Sequence, residues 1–583
     1  MFTLTKTPSA KLILYIAPTG TGKTLSPIGL ASKHRVIFVC AARHVGLSLA
    51  KSAISAQKKI ALAFNCNDAT DIRLHYYSVK DFVKNRRTGG IFRVDNSVGD
   101  KVEIMITDIK SYRYAMYYMI AFNKKEDIIT YWDEPTITMD YANHEYHEVI
   151  HENWKENVIP NIVLSSATLP CESEIQPVIM DFRSRFGGEV HSIISHDCNK
   201  SIPIITKNCD IYMPHFNFEN YKELQECAKH CLTHNTLLRY LELGETLKFI
   251  VYLNENKLIQ KKRYYCEDYF ESIDMITMKE IKLYYLELLK QLDESNWGEY
   301  IKERKNVPKL HGSNIKFITK DAHTLLSGPT IYLVKEIDKI AKFCIQQAAI
   351  PEKMMEIMKE ALEYNDKINR EIAKCDMNID TLMAKYGDKT ESAMRDPMLK
   401  RSKQKIEELK MKIKSFNLND VYIPNRRAHL EKWASEFGED HDYAFSCDIS
   451  DDDVCKIMLL NDIDEKWKIL LLMGIGVFME HSSVAYTEIM KRLAEEKKLF
   501  MIIASSDYIY GTNYQFYHSY IGKDLSDMTQ EKTIQAMGRV GRNNIHQSYS
   551  IRFRDDELIK KLFVREEDSI EVANLNRLFN SSD

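Results

Sequence analysis

The amino-acid sequence predicts an α/β protein with two doubly wound domains, each a parallel β-sheet covered by helices. At 583 residues the chain is too long for one hydrophobic core. Short apolar runs rich in β-branched residues alternate with longer amphipathic segments, which is typical of strands in a parallel sheet. The runs form two separate series, so we expect two sheets. The first series comprises 12–16, 36–39, 60–64, 102–106, 128–132 and 162–164, and the second comprises 329–334, 474–478, 500–504 and 548–553.

These series set the expected domain boundaries. The first α/β domain is predicted at 1–214 and the second at 328–583. Residues 215–327 are rich in Tyr, Leu and Lys and lack strand alternation, so we expect a mostly helical extra module there.

A helical hairpin is predicted as an insertion in the second domain, at about 352–416. Apolar residues follow alternating spacings of four and three from Met354 to Leu382, break at Tyr386-Gly387-Asp388, and resume from Leu399. This spacing is that of a coiled-coil seam, and Asn365 falls in the seam, where it would fix the register. We favour a structural arm with solvated flanks over an arm dedicated to a protein partner or to nucleic acid.

Composition and charge exclude several classes of protein. Hydrophobic residues make up 44% of the chain, yet no apolar run reaches the roughly 18 residues of a membrane span. The 12 cysteines show no framework, and the N-terminus lacks the pattern of a secretory signal, so an intracellular protein, cytoplasmic or nuclear, without membrane contact is expected. A net charge of −3 provides no overall basic field, so any contact with nucleic acid must be local.

The most specific motif is the run Ala17-Pro18-Thr19-Gly20-Thr21-Gly22-Lys23-Thr24, which follows a predicted strand. Its spacing is that of a phosphate-binding loop, with Ala in place of the usual first Gly. The two glycines allow backbone N–H groups to close on phosphates, Lys23 reaches the β and γ phosphates, and the Thr24 hydroxyl binds Mg²⁺. The sequence therefore predicts a site for a nucleoside triphosphate.

A carboxylate pair follows the predicted strand at 128–132, in the segment Asp133-Glu134-Pro135-Thr136. The carboxyl end of a strand beside a phosphate loop is where Mg²⁺ needs its second protein ligand, which indicates Asp133. Glu134 is then placed to orient and deprotonate water. Asp-Glu alone is a common surface dipeptide, so its position carries the prediction.

Four elements in order resemble the DExD/H-type helicases of superfamily two. They are the phosphate loop, DEPT at 133–136, Ser166-Ala167-Thr168, and the run QAMGRVGR from Gln535 to Arg542. The resemblance implies two RecA-like domains that bind ATP, or another nucleoside triphosphate, and Mg²⁺ between them. It implies that Arg539 and Arg542 reach the phosphates from the second domain, Gln535 holds the attacking water, and the Ser-Ala-Thr segment couples nucleotide state to strand binding.

The second domain resembles the Ski-like branch of that superfamily most closely. Gly474-Ile475-Gly476-Val477 and the segment from Ala504 to Asn513 are similar to two of its motifs. The resemblance places Gly511 and Asn513 at the nucleotide cleft and Ser505 on a strand phosphate. Arg43 and Thr107 occupy the positions of two weaker strand-binding motifs, although Arg43 is equally typical of an exposed residue at a helix start. The compact domain organisation also resembles helicases of large DNA viruses, which would make a virion-associated location a further expectation.

Two weaker patterns have simpler interpretations. Cys227, His230, Cys231 and His234 share one helix face, from which four ligands cannot easily converge on Zn²⁺, so buried thiols on an ordinary helix are favoured. The basic and aromatic run 261–265 is better explained by a solvated helix face than by a strand-binding surface.

The sequence as a whole favours an ATP-dependent helicase or translocase acting on DNA or RNA. A nucleotide-gated remodeller that hydrolyses ATP without separating strands is the main alternative, and a protein partner could contact its helical hairpin. A binding scaffold without hydrolysis is disfavoured because Lys23, Asp133, Glu134, Arg539 and Arg542 are all present.

Overall fold

The computed structural model describes most of the chain. The described residues are 1–7, 9–18, 20–84, 91–195, 200–304, 328–386, 396–414, 416, 418–433, 445–460, 462–479, 483–506, 514–541, 549–566 and 568–581. Two parallel sheets dominate this part of the chain, as the sequence predicts.

The first sheet has the strand order β10-β1-β9-β8-β2-β7-β3-β4, and its pairs are parallel except β3 with β4. A separate antiparallel pair, β5 and β6, lies outside it. The strands are β1 Lys11–Ile16, β2 Arg35–Cys40, β3 Ile60–Ala63, β4 Arg73–Leu74, β5 Phe82–Lys84, β6 Ile91–Val94, β7 Ile104–Asp108, β8 Ile128–Asp133, β9 Asn161–Ser166 and β10 Glu189–Ile194. The helices are α1 Ser26–Leu30, α2 Arg43–Ser55, α3 Tyr112–Phe122, α4 Glu145–Glu156 and α5 Gln176–Phe186.

Helices cover the first sheet on both faces because its strands are apolar on both faces. Leu12 and Leu14 of β1 lie in one core with α3, α4 and α5, whereas Ile13 lies in another with α1 and α2. Side chains alternate between the faces of a strand, so a continuous apolar run is what a doubly covered sheet requires. The first domain is thus a three-layer α/β unit.

A helical segment follows the first sheet, as predicted for 215–327, and the structure describes it as far as residue 304. It packs into the same hydrophobic core as the second sheet. Its helices are α6 Pro214–Asn217, α7 Tyr221–Thr233, α8 Leu243–Glu255, α9 Cys266–Tyr269, α10 Met278–Gln291 and α11 Glu294–Arg304.

The second sheet is parallel throughout, in the order β11-β16-β15-β12-β14-β13. Its strands are β11 Ile204–Ile205, β12 Thr330–Leu333, β13 Ile475–Phe478, β14 Met501–Ala504, β15 His518–Ile521 and β16 Ser550–Phe553. The predicted boundary at 214 is wrong in one respect, because β11 pairs with β16 and so belongs to the second sheet. An edge strand of two residues is too short to be recognised as part of a distant sheet.

The remaining helices surround the second sheet or extend from it. They are α12 Ile337–Gln347, α13 Glu352–Tyr386, α14 Pro397–Lys410, α15 Arg427–Trp433, α16 Asp451–Met458, α17 Glu465–Leu472, α18 Val484–Glu495, α19 Gln530–Met537, α20 Asp556–Leu562 and α21 Ile570–Leu578. No described helix is both long and apolar enough to cross a membrane.

The long helix α13 packs along α14, in the region where the sequence predicts a helical hairpin. Asn365 of α13 is fully buried, and its amide donates to the carbonyl oxygen of Lys414, just beyond the end of α14, at 2.8 Å and accepts from the Lys414 amide at 2.9 Å. The predicted break at 387 lies outside the described residues. The middle of α13 is fixed to the second domain, where Asn369 donates to the Leu459 carbonyl oxygen and Lys468 lies 3.4 Å from Asp366.

The C-terminal helix α21 packs against α4 and α5 and therefore returns to the first domain. Phe579 follows this helix directly. Its ring centroid lies 5.3 Å from that of Trp132 and 5.1 Å from that of Trp154. The sequence assigned residues up to 583 to the second domain, and this helix shows that the assignment is wrong for its last segment. A short amphipathic helix carries no signal for which core it joins.

Candidate active site

The predicted phosphate loop connects β1 to a short helical turn that begins at Lys23. Gly20 and Gly22 have φ angles of 89° and 84°, in the left-handed region that residues with a Cβ rarely adopt. The side chain of Lys23 is buried and its ammonium donates to the carbonyl oxygen of Ala17. The segment after β1 thus has two glycines in the left-handed region beside a buried cation. Thr19 lies outside the described residues.

The carboxylate pair lies next to the loop because β1, β9 and β8 are parallel neighbours whose carboxyl ends share one edge of the sheet. The Thr24 hydroxyl lies 3.3 Å from Asp133 Oδ2 and donates to it. Tyr131, on β8, also holds the loop, since its buried hydroxyl donates to the Lys23 carbonyl oxygen at 2.8 Å. The structure therefore brings the predicted magnesium ligands Thr24 and Asp133 together.

Burial and charge perturb the acid at the end of β8. Desolvation, and then the charge of Glu134, raises the pKa of Asp133, while Lys23, Thr24 and Arg539 act in the opposite direction. Among the described residues no hydrogen-bond donor reaches Asp133 Oδ1, although this atom is buried. A buried carboxylate oxygen without a donor fits a divalent cation, which would supply the missing positive charge.

Glu134 is fixed in an unusual backbone conformation. Its φ angle is 52°, and its amide donates to the carbonyl oxygen of Ser165 at 2.7 Å. Its carboxylate accepts from the Ser166 hydroxyl at 2.6 Å. A non-glycine residue in the left-handed region is costly and persists where surrounding contacts hold it, as they often do at functional sites. The predicted base is thus held by the predicted coupling segment.

The Ser166-Ala167-Thr168 segment also contacts the second domain. Gln535 is buried, and its amide donates to the Thr168 hydroxyl at 2.7 Å and lies 3.5 Å from that of Thr136. Through Ser166 and Thr168, the segment therefore connects Glu134 of the first domain with Gln535 of the second. This is the junction at which the sequence predicts coupling.

Arg539 comes from the second domain and is buried. Its positive charge opposes the rise of the Asp133 pKa and so favours the ionised form of that acid. A permanently charged group of the second domain thus acts electrostatically on an acid of the first. Arg542, Gly511 and Asn513 lie outside the described residues, so their predicted roles remain predictions.

The predicted strand contacts differ in exposure. Arg43 is exposed at the first residue of α2, with its guanidinium 5.6 Å from the centre of the Phe64 ring. Ser505 is half-buried directly after β14. Thr107 is fully buried and donates to the carbonyl oxygen of Asp108, so in this conformation it cannot contact a strand. Its position inside β7 explains the difference, since the predicted strand ended one residue earlier.

Sequence reasoning missed a contact that supports the backbone just before Arg542. Arg239 of the helical segment is buried, and its guanidinium donates to the carbonyl oxygens of Val540 and Gly541 at 3.1 and 2.7 Å. Lys200 also donates to the Gly541 carbonyl oxygen. Gly541 has a φ of 68°, in the left-handed region that favours glycine, at the point where Arg239 binds the backbone. The partners are backbone atoms, which leave no complementary charge in the sequence.

An ion pair between the domains was also missed. Lys532 on α19 lies 2.7 Å from Asp140, and both side chains are buried. The Lys532 ammonium also lies 4.8 Å from the centre of the Tyr141 ring. On the other side, Asn574 of α21 donates to the carbonyl oxygens of Met139 and Tyr141 at 2.8 and 2.9 Å. The segment after Glu134 is thus held by two helices from the C-terminal part of the chain.

The weaker sequence patterns did not form ligand sites within the described ranges. No group of three or more His, Cys, Asp or Glu side chains there is arranged to hold a metal ion. His230 instead lies 3.2 Å from the Leu562 carbonyl oxygen, and Cys227 and Cys231 are buried in the apolar core. In the run 261–265, the guanidinium of Arg263 lies over the Tyr264 ring at 4.8 Å.

Comparison with protein-family models gave no match, and comparison with curated proteins gave no significant match. The function proposed below therefore rests on the residues and on their geometry.

Proposed function

We propose that the chain is a nucleic-acid-dependent ATPase, a helicase or translocase with two RecA-like domains that close on ATP and Mg²⁺. The observation that carries the proposal is the composite junction. The predicted phosphate loop, Asp133 and Glu134 come from the first domain. From the second domain, Gln535 donates to Thr168 of the segment that holds Glu134, and the charge of Arg539 favours the ionised form of Asp133. A hydrolytic site divided between two domains couples hydrolysis to their relative movement.

The proposed chemistry assigns each group a role. The loop amides and Lys23 bind the phosphates, and Glu134 orients and deprotonates the attacking water. Gln535 assists in holding that water, because its amide already lies at the junction, and Arg539 stabilises the charge that spreads over the transferring phosphoryl group. Arg542 is proposed as the second arginine of this pair.

The donor set at the end of β8 fits Mg²⁺. Thr24 and Asp133 would hold it, and the buried Asp133 Oδ1 is the atom that such a cation would satisfy. When bound, the ion neutralises the phosphate charge. The role of the protein is to keep the threonine hydroxyl and the carboxylate adjacent, which the pairing of β9 with both β1 and β8 achieves.

Nucleic acid is the proposed partner because of the second-domain motifs around Gly474 and Ser505 and the exposed Arg43 of the first domain. DNA and RNA strands both present a sugar-phosphate backbone to such contacts. A remodeller that hydrolyses ATP without separating strands is the second candidate. The paired helices α13 and α14, proposed as an antiparallel coiled-coil hairpin, favour it as a surface through which another protein could be moved.

The proposal is tested by ATP hydrolysis titrated with single-stranded DNA, single-stranded RNA and duplexes. We expect at least one of these to stimulate hydrolysis. Lys23→Ala should abolish activity by removing phosphate binding, and Glu134→Gln should abolish turnover while ATP still binds. Glu145→Gln, an exposed acid at the start of α4, is the matched control and should retain activity.

Full activity in Lys23→Ala would overturn the proposal. A strand-displacement assay under the same conditions separates the two candidates. Displacement that requires ATP supports the helicase, whereas stimulated hydrolysis without displacement supports the remodeller.

A further inference from the structure

The second helix of the paired insertion carries a concentrated positive charge. Residues 397–414 contain seven Lys and Arg side chains and two Glu, an excess of five positive charges in a chain whose net charge is −3. The adjoining helix α13 has six cationic and eight acidic side chains, so the excess is confined to one side of the pair. We call this cationic set the basic face; it comprises Lys400, Arg401, Lys403, Lys405, Lys410, Lys412 and Lys414.

Packing explains why these cations point to solvent. Leu399, Ile406 and Leu409 are buried against α13, and they occupy the inner side of α14. All seven cations of the basic face are exposed. Within the described part of the chain the only ion pair they make is Lys410 with Glu407, at 3.2 Å. The charge is therefore available to a partner rather than neutralised by the protein.

The arrangement fits a phosphate backbone. Arg401 and Lys405 lie one helical turn apart, and α14 extends for roughly 20 Å, so several phosphates of one strand can be contacted together. An aromatic side chain lies at one end of the face. Tyr364 is 37% exposed, and the Lys414 ammonium lies 4.5 Å from its ring centre. An exposed ring beside cations is the combination that binds unpaired bases.

We infer that the basic face is a second nucleic-acid contact, separate from the cleft between the domains. The inference rests on the proposed function and names where the strand is held outside the motor. The middle of α13 is fixed to the second domain through Asn369 and through the ion pair of Asp366 with Lys468, so a strand on the basic face moves with that domain. Because the chain has a net charge of −3, any contact with nucleic acid must be local, and the basic face would provide such a contact.

The test compares two variants of the full-length protein with equal changes in charge. In the first, Lys400, Arg401, Lys403 and Lys405 are replaced by Ala; in the second, Lys353, Lys359, Arg370 and Lys374 of α13 are replaced, all of which are exposed. Binding of a labelled single strand of about 30 nucleotides, as DNA and as RNA, is followed by fluorescence anisotropy over a range of salt concentration.

We expect the first variant to bind at least about 10-fold more weakly and to lose about three units from the slope of log affinity against log salt concentration. The second variant should stay within about threefold of the wild type. A third variant exchanges lysine and arginine at the same four α14 positions: Lys400→Arg, Arg401→Lys, Lys403→Arg and Lys405→Arg. It keeps the charge and should retain binding. Thermal unfolding and hydrolysis without nucleic acid should be equal in the wild type and in all three variants.

An unchanged affinity and slope in the first variant would overturn the inference, and so would equal losses in both variants, which would indicate a general charge effect. Binding of polyglutamate, but not of strands, through the α14 cations would overturn it in favour of an acidic protein partner. Strand-stimulated hydrolysis by the wild type separates the two proposals. If it is present while the first variant binds normally, only this inference fails; if it is absent, the proposed function fails.

Discussion

Individual side chains at the junction depend on partners that are distant in sequence. Arg239 shows this most clearly, because its guanidinium fixes two carbonyl groups between Arg539 and Arg542. We interpret it as a positioning residue that acts through the backbone. Small displacements of a catalytic group reduce rates strongly, so the turnover number is the quantity that such a residue controls.

Arg239→Ala should therefore lower kcat for ATP hydrolysis by about 10-fold or more, with a smaller change in KM, because phosphate binding by the first domain is untouched. The kcat of Arg239→Lys, which retains the charge but lacks the planar guanidinium, should lie between those of Arg239→Ala and the wild type. Arg263→Ala, an exposed arginine of the same helical segment, should behave as the wild type. A wild-type kcat in Arg239→Ala would show that the loop is held by other contacts.

A second residue-scale effect involves two acids between α19 and α21. The hydroxyl of Ser569 lies 3.4 Å from Glu531 Oε1 and 3.1 Å from Glu571 Oε2, while Glu531 Oε2 and Glu571 Oε1 are buried without a donor among the described residues. Burial, and then the charge of Glu571, raises the pKa of Glu531 above its ordinary 4.5. The charge of Glu566 also raises the pKa of Glu531. The pKa of Glu566 is itself raised by burial and by the charge of Glu571, and the charge of Lys561 opposes that rise.

Above about pH 4.5 the unfolded carboxyl is ionised, whereas the folded one keeps its proton until the raised pKa is passed. The folded state binds more protons in that window, so the free energy of unfolding decreases as pH rises. Glu531→Gln should remove this loss, and its advantage in urea unfolding should widen from pH 5 towards pH 8. Glu557→Gln, at an exposed acid of α20, should show no such trend. A constant difference between Glu531→Gln and the wild type across this range would contradict the account.

Secondary-structure elements were predictable where apolar patterning was strong. The six runs of the first series all correspond to strands, because strands buried on both faces must be apolar throughout. β15 was missed since it begins with His518 and Ser519, which are fully buried but polar. His518 lies 2.7 Å from the Ser550 hydroxyl, and its buried ring has a pKa lowered to about 4 by desolvation, so it sits in the sheet as a neutral group.

At the element scale, Asn365 joins α13 to the segment that follows α14. Its buried side-chain amide hydrogen-bonds both backbone groups of Lys414. Asn365→Ala should destabilise the pair by about 1–3 kcal/mol, because two hydrogen bonds to the Lys414 backbone are lost. Hydrogen exchange in α13 and α14 measures this directly. Asn378→Ala, at an exposed position of the same helix, is the control, and equal exchange in both variants would refute the assignment.

At the scale of the whole molecule, the first domain is joined to the C-terminal part of the chain by contacts between residues that are distant in sequence. The ion pair of Lys532 with Asp140, the hydrogen bond of Gln535 with Thr168, and the packing of α21 on α4 and α5 all join the C-terminal part of the chain to the first domain. The sequence placed the phosphate loop and the carboxylates correctly relative to their strands. It could not show the position of α21, because docking depends on the assembled surface of the first domain.

The central claim is that the site is completed by a charged group from the second domain, and single-turnover hydrolysis by Arg539→Ala tests it most directly. We expect this variant to bind ATP within a few-fold of the wild type, since Lys23 and the loop are intact. Hydrolysis of the bound ATP should fall by about 10³-fold, the loss typical of removing an arginine that stabilises the transferring phosphoryl group. Wild-type hydrolysis in Arg539→Ala would contradict the account.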